Sequence, residues 1–478
     1  MARFHPRLLS IASLLLGLLL SASSASSQNR INVLLVTSDD LGLQLGCYGD
    51  PVAVTPHLDA LAADSTRFNV AYVAQASCSP SRSAMFTGLY PHTNGQYALT
   101  NSGYSLHRQF RDATLPNRLA QEGYRTGIIG KLHVAPESSF HWSFRGKANT
   151  RDVASVANTA AEFIGASSQP FFLMINYSDP HWERNQGKGP WFFQDQVEGQ
   201  PVTVLTGKDV RPFPFQGYRA PQHLDRIAGY YNAVHRLDAG IGMLMAKLKS
   251  SGHSEDTLVL FLGDHGPPFA RGKTTCYEAG LRVPFFVRWP GVSKPIVSDA
   301  MVSSVDIVPT VLDAVGAPLP TPMHGHSLRK PVAGDTSDWR PYLAAEFHSH
   351  GLTPFFPRRA IRDDRYKLIH NLLPGNPLQI RMDGDPGMDE PRDPKYIESE
   401  FERAYQNWAA PPQWELFDLE SDPWELHNVA GEPSMAAVRT RLTAALAEWE
   451  SETADPLRDP RFVEEMAARA KAGPASKK

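Results

Sequence analysis

Ile31-Asn32-Val33-Leu34-Leu35-Val36 is a near-continuous apolar run that ends in Thr37-Ser38-Asp39-Asp40. A run this short and unbroken reads as a strand buried on both faces, as in a largely parallel sheet. Residues 125–130, 170–175 and 257–262 read as further strands, and residues 284–289 as another. Between them the spacing predicts helices over 56–63, 115–122, 153–164, 224–250 and 305–315. Strands alternating with helices define a layered α/β fold. After about residue 340 the texture changes. Residues 359–362 and 366–369 read as antiparallel strands joined at Asp363-Asp364, 415–419 as another strand, and 435–453 as a terminal helix. Residues 374–394 are rich in Pro, Gly and Asp and read as a long surface loop. The expected division is a larger domain over 28–340, a smaller α+β domain over 341–470 and a disordered tail over 471–478.

At 478 residues the chain exceeds what one core usually holds, which favours that division. A net charge of -3 excludes a general basic footprint for nucleic acid. Residues 1–27 read as an export signal. Arg3 and Arg7 precede an apolar run over 8–20, and a small, polar stretch offers cleavage after Ala25 or Ser27. The run is too short for a comfortable membrane span, so an exported protein, periplasmic or secreted, without stable membrane insertion is expected. Cys47, Cys78 and Cys276 do not make a disulfide scaffold. Whether Cys47 and Cys276 pair is left open.

Downstream of the first strand lies Cys78-Ser79-Pro80-Ser81-Arg82, followed by Ser83-Ala84-Met85-Phe86-Thr87-Gly88. Pro80 suits the first position of a helix, where no backbone N–H is needed, and Gly88 suits its end. Cys78 therefore falls at a helix N-terminus, where free N–H groups favour an anion. Arg82, four residues on, faces the same way one turn later. A small buried cysteine ahead of an ordinary helix fits these residues as well.

Other strand ends carry groups of chemical use. The first ends in Asp39-Asp40, and 257–262 ends in Gly263-Asp264-His265-Gly266. Three carboxylates beside an anion site would repel unless a cation joined them, and oxygen ligands suit a hard ion such as Ca²⁺. An Asp pair after a strand is equally at home in a cap or turn. Strand 125–130 leads into Lys131-Leu132-His133, and alternation would put Lys131 and His133 on one face. Asp179-Pro180-His181 follows 170–175, and Gly272-Lys273 follows Asp264-His265.

Cys-x-Pro-Ser-Arg closed by Thr87-Gly88 resembles the signature of type I sulfatases, and the later strand-end groups follow in the order that family has. Glu278-Ala279-Gly280-Leu281-Arg282-Val283-Pro284 is similar too, and a weaker echo lies in Trp414-Glu415-Leu416-Phe417-Asp418-Leu419 and Asp422-Pro423. The resemblance implies an alkaline-phosphatase-like sandwich with a large, mostly parallel central sheet flanked by helices, plus a smaller C-terminal domain with an antiparallel sheet. It implies that a formylglycine-generating enzyme oxidises Cys78 to formylglycine, whose hydrate attacks sulfur. One Ca²⁺ would be held by Asp39, Asp40, Asp264, His265 and residue 78. Arg82 would stabilise the nucleophilic oxygen, and Lys131 and Lys273 would hold the sulfonate. His181 would protonate the leaving atom, and His133 would take up the second diol proton.

Within that family the chain is most similar to the sulfamidases, which cleave the N-sulfate of glucosamine in heparan sulfate. The stretches carrying this are Gly127–Glu137 and Gly263–Thr274, with Tyr366–Leu372 and Trp449–Thr453. His348-Ser349-His350 matches a histidine-rich spot there, and the resemblance implies that His348 or His350 contacts the sugar. Lys273 stands where sulfamidases have arginine, and His265 where they have asparagine. The expected partner is a sulfated saccharide, and a homodimer is left open. The alternatives are an O-sulfatase acting on glucosamine-6-sulfate or aryl sulfate, a formylglycine-dependent phosphonate or phosphodiester hydrolase, and a non-catalytic glycan-binding protein.

Overall fold

The protein is described by a computed structural model covering residues 30–185, 188–193, 204–351, 355–375 and 394–472. The expected leader, nearly all of the 374–394 loop and nearly all of the 471–478 tail lie outside the described residues.

The apolar run opening the chain is strand Asn32–Ser38, buried throughout, at the centre of an eight-stranded sheet. The order is Val297–Ser298, Thr66–Phe68, Phe285–Arg288, Thr257–Gly263, Asn32–Ser38, Phe171–Tyr177, Arg125–Gly130 and Phe144–Gly146. Phe285–Arg288 alone runs against its neighbours. Alternation along the central strand feeds two cores. Leu34 and Val36 face a cluster covered by helices Val153–Gly165 and Pro221–Ser250. Val33 and Leu35 face the other, which takes in Met85 and Phe86 of helix Cys78–Thr87 and Val308 and Val311 of helix Ile307–Val315. Burying aliphatic side chains of this size contributes about 1.5–3 kcal/mol each before entropy is counted, so the sheet is anchored from both faces.

Register decides where the chemistry sits. Ser38 lies opposite Gly263 on one side and Tyr177 on the other, and Gly130 lies opposite Asn176. The residues following these four parallel strands therefore leave the sheet at one edge, side by side, as the carboxyl-end rule for such sheets requires.

Strands Leu343–Phe347, Arg358–Arg362, Tyr366–Asn371 and Trp414–Asp418 form an antiparallel meander. One face, with Leu343, Ala345, Ala360 and Phe417, packs on Tyr72, Val73, Ala76 and Cys276 of the larger unit. The other, with Ile361, Leu368 and Leu416, lies under helix Ala436–Glu452. The stretch from Glu278 becomes a short helix, Glu278–Leu281, and buried Glu278 reaches across to Arg362 at 3.1 Å and Lys367 at 3.2 Å. Helix Pro460–Ala472, which the sequence reading does not contain, closes the described chain. Cys47, Cys78 and Cys276 are all free thiols. Among the described residues no helix is long and apolar enough to cross a membrane.

Candidate active site

The helix carrying the cysteine motif starts at Cys78 itself, with Ser77 as its cap residue in extended conformation, two residues before the position expected from Pro80. Pro80 still sits in the first turn, where an N–H has no intrahelical partner to lose. Gly88 ends the helix in the left-handed region at φ 68°. Cys78 is 2% exposed and faces the carboxyl edge of the sheet. Its Sγ lies 3.7 Å from Asp39 Oδ1 and 3.3 Å from His265 Nε2.

Asp39 and Asp264 follow adjacent strands, and two backbone bonds extend the ladders into the site: Asp264 N–H donates to Ser38 O, and Asp39 N–H to Tyr177 O. Asp40 takes a left-handed backbone at φ 66°, and its N–H donates to Asp264 Oδ1 at 3.0 Å. The three aspartates meet three cations. Arg82, completely buried one turn after Cys78, donates from Nε to Asp264 Oδ2 at 3.0 Å and lies 3.5 Å from Asp39 Oδ2. Lys131 Nζ lies 2.7 Å from Asp39 Oδ2, and the buried Lys273 Nζ lies 2.9 Å from Asp40 Oδ1. His265 Nε2 is 3.2 Å from Asp40 Oδ1, and His181 Nε2 is 3.8 Å from Asp40 Oδ2.

Burial works against ionisation of Asp39, yet Lys131, His181 and Arg82 together hold its carboxyl well below the usual range. Burial also opposes the charge on Lys131, and the Asp39 carboxylate more than compensates, holding the ammonium above its ordinary value. Burial pushes the Cys78 thiol up to about 12 against the pull of Lys131 and Lys273. His133 is held down to about 2, by burial first and by the Lys131 charge second.

The carboxylates among these groups suit a divalent cation. One ligand atom each from Asp39, Cys78, Asp264 and His265 lies within 4.8 Å of the others, and the same holds for Asp39, Asp40, Cys78 and His181. The buried Asp40 Oδ2 has no hydrogen-bond partner, which suits an oxygen that would ligate an ion. Three aspartates against three cationic side chains cancel, so an added divalent ion would leave a positive surplus suited to an anionic substrate group.

The sheet edge thus gathers Asp39, Asp40, Cys78, Arg82, Lys131, His181, Asp264, His265 and Lys273. His133 comes near by a different route from the alternation expected. The strand stops at Gly130, where φ is 91° and a Cβ would meet Asn176 O at 2.3 Å. His133 then takes φ 52°, and its buried Nδ1 has no partner. His348 and His350, expected at the sugar, are buried beside the segment leading to Cys78. His348 is sealed in by Gln75 and Arg359, which engage its two ring nitrogens.

Several supporting residues escape sequence reasoning. Asn176 Oδ1 accepts from Arg82 Nη1 at 2.6 Å and from Thr37 Oγ1 at 2.7 Å. Asp179 is gripped by Arg236 and Arg151, and Arg151 Nη2 also donates to the His181 carbonyl at 2.6 Å. The only sequence signal for Asn176 is a polar residue at the end of an apolar run.

Comparison with known proteins gives the family. The Sulfatase family matches residues 31–317, and the family described as N-sulphoglucosamine sulphohydrolase, C-terminal, matches residues 263–385. The chain belongs to the sulfatase family, enzymes that hydrolyse sulfuric esters and sulfamates. It is 30% identical to human N-sulphoglucosamine sulphohydrolase, over 89% of this chain and 91% of that protein. It is 31% identical to human arylsulfatase A over 88% of this chain and 86% of that protein. A Formosa agariphila ulvan-active sulfatase is 29% identical, over 90% of this chain and 82% of that protein. A structure solved with its substrate D-glucosamine-2-N,6-O-disulfate superposes with a TM-score of 0.65 at 20% identity, covering 90% of this chain and 99% of that one. The phosphonate monoester hydrolase of Agrobacterium radiobacter superposes with a TM-score of 0.64 at 19% identity, covering 89% and 96%. At such identities these two speak for the alkaline-phosphatase-like fold alone.

Proposed function

We propose that the chain is an exported enzyme that removes the N-sulfate of glucosamine from heparan-type saccharides, using formylglycine made from Cys78 and one Ca²⁺. The observation that carries this is the convergence of three aspartates and three cations on Cys78 at the start of a buried helix. The choice of N-sulfate follows the human relative named for that substrate.

Formylglycine would supply a hydrated aldehyde as nucleophile, with Ca²⁺ as fixed positive charge beside it. The chain's own residues do the rest. Asp39, Asp40, Asp264 and His265 would hold the cation. Arg82, spent on Asp264, Asp39 and Asn176, sets the carboxylates at their angles. Lys131 and Lys273 hold sulfonate oxygens in place. His181 delivers a proton to the departing nitrogen, and His133, uncharged and with Nδ1 unpartnered, accepts one.

The test is kcat/KM on N-sulfoglucosamine, glucosamine-6-sulfate, an aryl sulfate and a phosphonate monoester, with protein of measured aldehyde content. N-sulfoglucosamine is expected to lead. Faster turnover of glucosamine-6-sulfate would overturn the substrate and leave the sulfatase class standing; a preference for the phosphonate would overturn the reading altogether.

Metal removal gives a second expected outcome. An ion held only by the folded state at a hundredfold excess over Kd stabilises it by about 2.7 kcal/mol. Chelation should therefore lower the melting temperature by a few degrees along with activity, and Ca²⁺ should restore both. Unchanged melting and activity in demetallated protein would count against the ion.

A further inference from the structure

His348-Ser349-His350 continues the chain beyond strand Leu343–Phe347 and runs beside residues 74–77, the segment that delivers Cys78. Glu346 N–H donates to Ala74 O at 2.9 Å, so the two segments are tied along the backbone. The side chains then take over. His348 Nδ1–H donates to the carbonyl Oε1 of Gln75 at 2.9 Å, which fixes its tautomer, and its Nε2 accepts from Arg359 Nη1 at 3.2 Å. Gln75 Nε2 in turn donates to Ser349 O at 3.3 Å and Tyr97 O at 3.2 Å. One residue before the nucleophile, Ser77 Oγ bonds His350 Nδ1 at 2.8 Å. That hydroxyl occupies the helix cap position yet makes no cap bond to the helix.

All five residues, Gln75, Ser77, His348, Ser349 and His350, are buried. Arg359 is anchored at its far side by Asp455, Nη2 to Oδ1 at 2.9 Å. On the opposite flank Thr274 N–H, next to Lys273, donates to Ala76 O at 2.9 Å. The segment 74–77 is therefore held between the Lys273 loop and the end of the C-terminal sheet's first strand. A clamp of directed hydrogen bonds, buried and one residue from the reacting position, specifies position more sharply than apolar packing would.

We propose that His348 and His350 are positioning residues for residue 78, acting through Gln75 and Ser77. This rests on residue 78 being the nucleophile. It makes the C-terminal sheet part of the catalytic apparatus without any contact to substrate. It also gives a physical reason for two histidines where apolar side chains would fill the space: each ring offers a directed nitrogen to one polar atom of the segment.

The test is a mutant cycle on His350 and Ser77, using whichever sulfate substrate the wild type hydrolyses and normalising to aldehyde content. His350→Ala is expected to lower kcat about 10- to 100-fold, the scale of a misplaced reacting group, with KM changed less than about threefold. Ser77→Ala should do the same, and the double variant should add little to either alone. His350→Asn, whose amide reaches the place of Nδ1, should recover most of kcat. Hydrogen exchange over residues 74–82 should quicken in His350→Ala while strands Arg358–Arg362 and Tyr366–Asn371 keep their protection. That readout needs no turnover, so it stands even if the substrate reading fails. A rise in KM with kcat preserved would overturn the proposal in favour of a sugar contact. Additive losses in the cycle, or unchanged exchange over 74–82, would overturn it too.

Discussion

Cys78→Ser is expected to fold normally and to lose turnover by on the order of 10³-fold or more. The substitution is nearly isosteric. A serine hydroxyl in place of Sγ would still face Asp39 Oδ1 and His265 Nε2, now 3.7 and 3.3 Å from sulfur, so the melting temperature should move by no more than a few degrees. The loss is chemical. A single hydroxyl could attack sulfur, but the resulting ester would have no second hydroxyl through which to expel sulfate, and the cations around it would hold it in place. The companion measurement is mass spectrometry of the peptide containing residue 78 in wild-type protein. Activity across preparations should rise in proportion to the aldehyde fraction trapped by a hydrazine. Fully active protein carrying only thiol, or a serine variant within tenfold of wild type, would remove formylglycine from the account.

The parts of this site that sequence makes legible are those fixed by local rules. Apolar runs over 31–36 and 257–262 announce their strands, and the polar residues ending them land at one edge because parallel strands in register must finish together. Arg82 reaches the carboxylates because four residues make about one helical turn. Whatever depends on tertiary register stays hidden. The reversal of Phe285–Arg288 follows from its connection, not from its composition. His133 is turned by left-handed backbone at Gly130 and at itself, so strand alternation misplaces it. The hydrogen bond that fixes His348 comes from Arg359, itself held by Asp455, which lies 96 residues further along the chain. The Asn176 and Arg151 contacts likewise join segments far apart in the chain.

His181→Ala should separate two roles that geometry leaves close together. The residue is held at backbone and ring: its backbone N–H donates to Ser178 O at 2.8 Å, Arg151 holds its backbone carbonyl, and the ring Nδ1–H donates to Trp182 O. With Nδ1 committed as a donor, Nε2 carries a proton only in the charged ring, and Nε2 faces the Asp40 carboxylate at 3.8 Å. A sulfamate needs that proton, because an amide anion cannot leave unprotonated, whereas the phenolate of an activated aryl sulfate leaves with little help. Loss of a general acid costs roughly 10²- to 10⁴-fold where protonation is required. The expected result is therefore a loss of that size on N-sulfoglucosamine and a loss within about tenfold on the aryl sulfate. His181 also sits within ligand distance of Asp39, Asp40 and Cys78, so metal content must be measured in the same preparation. Equal losses on both substrates together with lost Ca²⁺ would make His181 a metal ligand. Equal losses with Ca²⁺ retained would remove it as the acid and move that role to another proton donor beside the leaving nitrogen.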